Sequence, residues 1–146
     1  MKLELEDRMA LKELVDRYAT ESDKNNQDYY REIFRPDVRL KVYFGETLGM
    51  DIDNVEEMIA RYKAFGAAKA SFHQNGQQVV DLVDETHATG ICYAIATLVT
   101  EENGKDTLTL HAVRYYDQYV KVDGRWWIAG REQYFVYSSV PPLAQL

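Results

Sequence analysis

Two of the three histidines are the residues of this sequence best suited to acid–base chemistry. The usual pKa of histidine lies near neutral pH, so an imidazole can act as a base or as an acid there. His73 and His111 both lie in segments with the alternation that is typical of β-strands. If both side chains face the same side of a sheet, two imidazoles enter one cavity. The alternative is that each is held by hydrogen bonds in the core or lies on the solvent side.

Asp23 and Tyr18 are further candidates, near the end of the first predicted helix. Asp23 lies in the polar stretch "SDKNNQD", where most aspartates are helix caps or solvated charges. Tyr18 ends an apolar stripe, where a tyrosine is more often a core residue than an acid. The chain has 11 tyrosines, and several of them, including Tyr115, could line a pocket or instead form a tyrosine-rich core.

Length and composition indicate a single domain, residues 1–146, without a nucleic-acid or membrane partner. The net charge of −7 is unfavourable for binding to phosphate backbones or anionic lipid. The N-terminus has no continuous apolar stretch, and no apolar run is long enough to span a bilayer. The single cysteine excludes an internal disulfide and a multi-thiolate metal site. We expect a cytoplasmic protein.

Motif patterns for several common reaction classes are absent from the sequence. It contains no glycine-rich nucleotide-binding pattern, no H-E-x-x-H zinc pattern and no G-x-S-x-G nucleophile elbow. Two histidines and one carboxylate could form an iron-binding triad, but nothing marks these three residues as ligands. We therefore expect neither a metal nor an organic cofactor.

The pattern of apolar residues predicts helices in the first half of the chain and long strands in the second half. Helices are expected at about 5–22, at 29–34 with Asp28 as its cap, and from Asp53, where Glu56 completes a capping box. Strands are expected at 38–44, 71–83, 88–101, 106–122 and 126–137. In the strand that contains His73, the period of two places Gln77 on the same face as His73. Long antiparallel strands twist and curl, which predicts an α+β domain with a pocket between helices and sheet.

Three local patterns carry a resemblance to a known family. These are "LVDRY" in the first helix, "FRPD" before the first strand, and "YYDQYVKVDGRWWI" across the last hairpin. In these features and in the order of its elements, the chain resembles the SnoaL-like branch of the nuclear-transport-factor-2-like superfamily. That branch includes scytalone dehydratase, bile-acid 7α-dehydratase and lindane dehydrochlorinase. The resemblance implies a cone-shaped half-barrel, with a curved antiparallel or mixed sheet packed around a long N-terminal helix and three helices in all.

The resemblance also implies a site. In lyases of this branch, a histidine on the strand after the third helix is the base and an aspartate after the first helix holds it; His73 and Asp23 fall at these places. Tyr18 falls at the position of a further catalytic residue, and His111 matches the second histidine of scytalone dehydratase. The residues expected to contact the substrate are Tyr115, Val42 and Asn75.

The function implied is that of a cofactor-independent lyase or isomerase of the dehydratase type. It would remove an acidic proton next to a carbonyl of a hydrophobic, ring-containing small molecule. The alternatives are a polyketide-cyclase-like or steroid-isomerase-like enzyme, or a binding module without catalysis, since this fold supports all of them. Relatives commonly pair through the open face of the sheet, so we expect a homodimer or a larger homo-oligomer.

Overall fold

The computed structural model of the protein describes residues 2–144, and every structural statement refers to that range. It contains two α-helices, one 3₁₀ helix and six β-strands. In chain order these are α1 (Leu5–Asp23), the 3₁₀ helix (Gln27–Glu32), β1 (Phe34–Phe44), β2 (Thr47–Ile52), α2 (Val55–Ala64), β3 (Ala70–Asp84), β4 (His87–Glu102), β5 (Lys105–Val122) and β6 (Arg125–Ser139).

The strands form one mixed sheet in the order β2-β1-β6-β5-β4-β3. Neighbouring strands are antiparallel except β1 and β6, which are parallel. The sheet is not closed, and its long strands curve around α1, which lies across the concave face. The predicted α+β half-barrel with three helices is confirmed.

Helix α1 is positioned by one apolar stripe. Leu11, Leu14, Val15 and Tyr18 lie at i, i+3, i+4 and i+7, and each is less than a tenth exposed. They pack into the core that the inner faces of the strands complete. Asp23 is the last residue of α1, so this packing sets the place of its carboxylate at the edge of the concave face.

A bulge in β3 corrects the expected inner face of that strand. Asn75 pairs with Ala94 and Gln78 pairs with Cys92, which leaves one extra residue on β3. The extra residue changes the alternation, so Gln77 is exposed and does not share the face of His73. Gln78 faces inward instead and donates to the carbonyl oxygen of Leu11 at 3.1 Å.

The beginnings of two helices differ from the expected ones. The Asn54 side chain accepts from the backbone N–H of Glu57 at 2.8 Å, so Asn54 caps α2 and Asp53 does not. The 3₁₀ helix begins at Gln27 without a side-chain cap. Asp28 lies inside it and pairs with Lys63 at 2.6 Å.

Strand β1 is longer than the sequence pattern predicts. This strand begins at Phe34, earlier than expected, because an irregular stretch between Phe34 and Arg39 accommodates Pro36, which cannot donate a backbone hydrogen bond. The edge strand β2 was not predicted at all. Most of its side chains are exposed, so it lacks the apolar alternation that marks a half-buried strand.

A buried ion pair crosses the inner face of the sheet. Arg131 of β6 donates to the two carboxylate oxygens of Asp117 of β5 at 2.7 and 2.9 Å, and both side chains are fully buried. The guanidinium carbon lies 4.5 Å from the centre of the Tyr18 ring and 4.1 Å from that of Tyr115. The guanidinium of the pair therefore packs against the rings of Tyr18 and Tyr115.

We predict that Asp117→Asn lowers the free energy of unfolding by about 3–5 kcal/mol, because the Arg131 charge would remain buried without its counter-ion. Urea denaturation measures the change. Asp51→Asn is the matched control, since it breaks the exposed pair with Arg39, and we expect little effect there. Equal effects of the two substitutions would contradict the importance of the buried pair.

No helix among the described residues is both long enough and apolar enough to cross a membrane.

Candidate functional site

A cavity of about 340 Å³ lies between the helices and the concave face of the sheet. The end of α1, the 3₁₀ helix, Tyr62 of α2 and the segment 65–70 form one side of it. The inner faces of β3 to β6 form the other. Five residues singled out in the sequence line this one cavity: Tyr18, Asp23, His73, His111 and Tyr115.

The expected contact between Asp23 and His73 is present at its wall. Asp23 Oδ1 lies 2.6 Å from His73 Nδ1, and the two side chains are 25% and 16% exposed. The Ser71 hydroxyl donates to the same oxygen at 2.8 Å, and the His73 backbone N–H donates to Oδ2 at 2.9 Å. A carboxylate only accepts hydrogen bonds, so His73 Nδ1 carries a proton and donates a hydrogen bond to Asp23; in the neutral imidazole Nε2 then has the free lone pair.

His111 lies on the same cavity in a different environment. Its Nδ1 is 2.6 Å from the Ser138 hydroxyl, and its ring packs edge-on against Phe135 with the centres 5.1 Å apart. Burial lowers the pKa of His111, and the charge of His73 lowers it further. The neutral imidazole is therefore favoured at neutral pH, and it can donate or accept one hydrogen bond.

Four tyrosines form the aromatic floor of the cavity. The Tyr18 ring stacks on that of Tyr30 at 5.1 Å and meets that of Tyr115 edge-on at 5.8 Å, while Tyr30 contacts Tyr62 at 5.9 Å. Burial raises the pKa of Tyr30, Tyr62 and Tyr115 well above its usual value. Their hydroxyls keep their protons in the neutral range and can act as hydrogen-bond donors.

Two expected substrate contacts, Val42 and Asn75, are not among the described residues that line this cavity. Val42 is 3% exposed and packs in the hydrophobic core. Asn75 faces α1, as its alternation with His73 requires, but the helix covers it: its side-chain nitrogen donates to the Val15 carbonyl oxygen and to Asp16.

Sequence reasoning missed two polar residues beside the cavity, Gln133 and Tyr62. Gln133 of β6 is 5% exposed, and its side-chain oxygen accepts from the Tyr62 hydroxyl at 3.3 Å. It also missed Arg131 below the floor. Its ion-pair partner Asp117 follows Val113 and Tyr115 at intervals of two residues. That spacing places a charged residue on the inward face of β5 and was the available signal.

Among residues 2–144 there is no group of three His, Cys, Asp or Glu side chains close enough to hold an ion.

The sequence pattern of the SnoaL-like domain matches residues 3–132. The chain belongs to the SnoaL-like family. No curated protein matches it in sequence. Among solved structures it is similar to a putative scytalone dehydratase from Novosphingobium aromaticivorans, with 20% identity, a TM-score of 0.79, and coverage of 96% of this chain and 91% of that one.

A second similar structure is the hexachlorocyclohexane dehydrochlorinase LinA-type3 from Novosphingobium barchaimii, with 17% identity, a TM-score of 0.81, and coverage of 97% and 94%. A third is a LinA Type2 dehydrochlorinase, with 17% identity, a TM-score of 0.83, and coverage of 97% and 93%. At these identities the similarity establishes the shared SnoaL-like fold.

We predict that His111 titrates below the usual histidine value of 6.5, since burial is the main cause of its lowered pKa. Its contribution to stability should be complete above pH 6.5 and decline as the pH falls towards the lowered pKa, because the unfolded chain then binds the extra proton. Histidine NMR titration measures the pKa of His111. A His111 pKa at or above 6.5 would contradict the assignment.

Proposed function

We propose that this SnoaL-like protein is a cofactor-independent lyase or isomerase of the dehydratase type. Its substrate would be a hydrophobic, ring-containing small molecule with an acidic proton next to a carbonyl. The observation that carries the proposal is the 2.6 Å contact between Asp23 and His73 at the wall of the cavity.

His73 is the proposed base. Asp23 accepts from Nδ1, which leaves Nε2 to take the proton from the carbon next to the carbonyl. The electron pair of that C–H bond moves towards the carbonyl oxygen, and an enolate forms. Asp23 remains ionised and stabilises the imidazolium, in the way that the buried aspartate of a serine-protease triad does. The hydrogen bonds from Ser71 and from the His73 backbone hold the carboxylate in place.

Tyr18 and His111 are the proposed donors. One of them would stabilise the oxygen that gains charge, and the other would protonate a leaving hydroxide so that it departs as water. Tyr18 is packed between Tyr30 and the guanidinium of Arg131, which limits its movement. His111, neutral at neutral pH, can donate a hydrogen bond from one nitrogen. General acid–base catalysis of this kind typically contributes about 10²–10⁴-fold in rate.

The names of the similar structures support an elimination. One is a putative dehydratase and the others are dehydrochlorinases, which are named for the loss of water and of hydrogen chloride. An isomerase or a cyclase could use the same base, because each also begins with removal of a proton next to a carbonyl. A binding module without catalysis would have no need of a carboxylate that fixes the tautomer of a cavity-facing imidazole.

A direct test uses 3-hydroxy-1-tetralone, a ring β-hydroxy ketone that loses water to give fluorescent 1-naphthol. We predict that the wild type accelerates this reaction and that His73→Ala lowers the rate by about 10²–10⁴-fold with the fold intact, because the base acts in the transition state. Asp23→Asn should also lower it strongly, since an amide can donate to the imidazole and favour the wrong tautomer.

The two losses should be far from additive, since both residues serve one proton transfer. His87→Ala is the control, because His87 is the exposed first residue of β4 and does not line the cavity. Full activity of both His73→Ala and Asp23→Asn would refute the proposal. Unfolding of His73→Ala, with Asp23→Asn folded and fully active, would show that the histidine is structural.

We further propose that the chain self-associates through the convex face of the sheet, where several large side chains are exposed. Among them, Tyr93 is 39% exposed and Tyr137 is 58% exposed. We predict a dimer or a larger oligomer at micromolar concentration, and dissociation by the double substitution of Tyr93 and Tyr137 with Glu, since buried charges oppose association. Light scattering measures the mass; Met9→Glu, on exposed α1 surface, is the control. A monomeric wild type would contradict the proposal.

A further inference from the structure

The side chain of Gln133 is built into the cavity wall but is only half satisfied. It is 95% buried, since its exposed fraction is 5%. Its oxygen accepts from the Tyr62 hydroxyl at 3.3 Å. Among residues 2–144, two side-chain nitrogen atoms have neither solvent contact nor a hydrogen-bond partner. They are Arg114 Nε and Arg131 Nη1. Gln133 Nε2 also has no protein acceptor in this range, but it keeps some solvent contact. Because Gln133 lines the cavity, this nitrogen faces the cavity.

Tyr62 fixes the direction in which this nitrogen points. It comes from α2, while Gln133 comes from β6, so their hydrogen bond joins the two sides of the cavity. Burial raises the pKa of Tyr62, and its hydroxyl therefore keeps its proton and remains a donor. A phenol that donates to the carboxamide oxygen leaves both N–H groups of the nitrogen for another acceptor.

The other groups around Gln133 are mostly aromatic or aliphatic, including Tyr115, Val113 and Phe135. Such walls bind a ring system without fixing its orientation, and a few polar groups provide the specificity. A buried amide that must pair with a ligand oxygen also disfavours an analogue without that oxygen, because the amide would then stay unpaired.

We propose that Gln133 selects ligands whose ring system carries a hydrogen-bond-accepting oxygen, and that Tyr62 is a positioning residue for it. The inference deepens the proposed function, because the ligand is the ring substrate of the same cavity. It assigns ground-state recognition of the carbonyl oxygen to an uncharged amide, in addition to the donor among Tyr18 and His111 that stabilises this oxygen as it gains charge.

The test is a binding comparison that needs no turnover. 1-Tetralone and tetralin share one ring skeleton and differ in the carbonyl, and calorimetry measures the affinity of each. We predict that the wild type prefers 1-tetralone by about 3- to 10-fold, the range expected for one net hydrogen bond. Gln133→Leu should abolish this preference, and Gln133→Glu should abolish it too, since a carboxylate cannot donate.

Tyr62→Phe should reduce the preference only in part, because the amide remains but is no longer held. Gln74→Leu is the matched control: Gln74 is exposed on the opposite face of β3, and its loss should leave the preference unchanged. Thermal melting shows whether each variant is folded, and Gln133→Glu serves if Gln133→Leu does not fold.

Two results would overturn the proposal. One is a wild type that binds the two probes equally or does not bind 1-tetralone. The other is a preference that survives in folded Gln133→Leu or Gln133→Glu, which would assign the oxygen to Tyr18 or His111. Failure of the proposed catalysis is distinguishable, since His73→Ala would then keep full turnover while the binding preference still depended on Gln133.

Discussion

In two long strands of this sheet, β3 and β6, a one-residue bulge changes which residues face the concave side. In β3, Ser71 and His73 face inward before the bulge, and Gln78 and Val80 face inward after it. If the strand alternated regularly through this stretch without a bulge, an inward His73 would turn Val80 out to solvent. The bulge lets one strand present polar groups to the cavity and apolar groups to the core on the same side of the sheet.

Strand β6 follows the same principle. Its pairing with β5 shifts at Ala129 and at Val136, which lie opposite no residue of β5. Ile128 faces the core before the first shift, and Arg131 and Gln133 face inward after it. The positions of the bulges therefore decide that Arg131 and Gln133 face the concave side of the sheet.

The second condition for the site is a polar link between elements that are distant in the chain. Asp23 ends α1, and its three hydrogen bonds reach Ser71 and His73, which is 50 residues further along. Because α1 is fixed by its apolar stripe, the carboxylate has little freedom to move away from the imidazole. Preorganisation of this kind matters for a base, since a misplaced proton acceptor loses much of its effect.

The limits of sequence reasoning have physical causes. The α1 stripe and the long strands follow from apolar spacing, and the positions of His73 and Asp23 follow from the family resemblance. Bulges have no comparable signature, so counting by two along β3 assigned Gln77 to the wrong face. Asn75 lies on the face of His73, but its hydrogen bonds to α1 depend on tertiary packing that alternation does not reveal. Gln133 carries no local mark, since only its burial beside Tyr62 distinguishes it.

The most direct measurement for the central claim is hydrogen exchange at carbon. In heavy water, removal of a proton next to the carbonyl of 1-tetralone and return of a deuteron are visible by NMR, whatever step follows in the natural reaction. If the Asp23-bound imidazole is the base, the wild type should exchange these protons about 10²–10⁴ times faster than His73→Ala. Equal exchange rates for the two folded proteins would contradict the account.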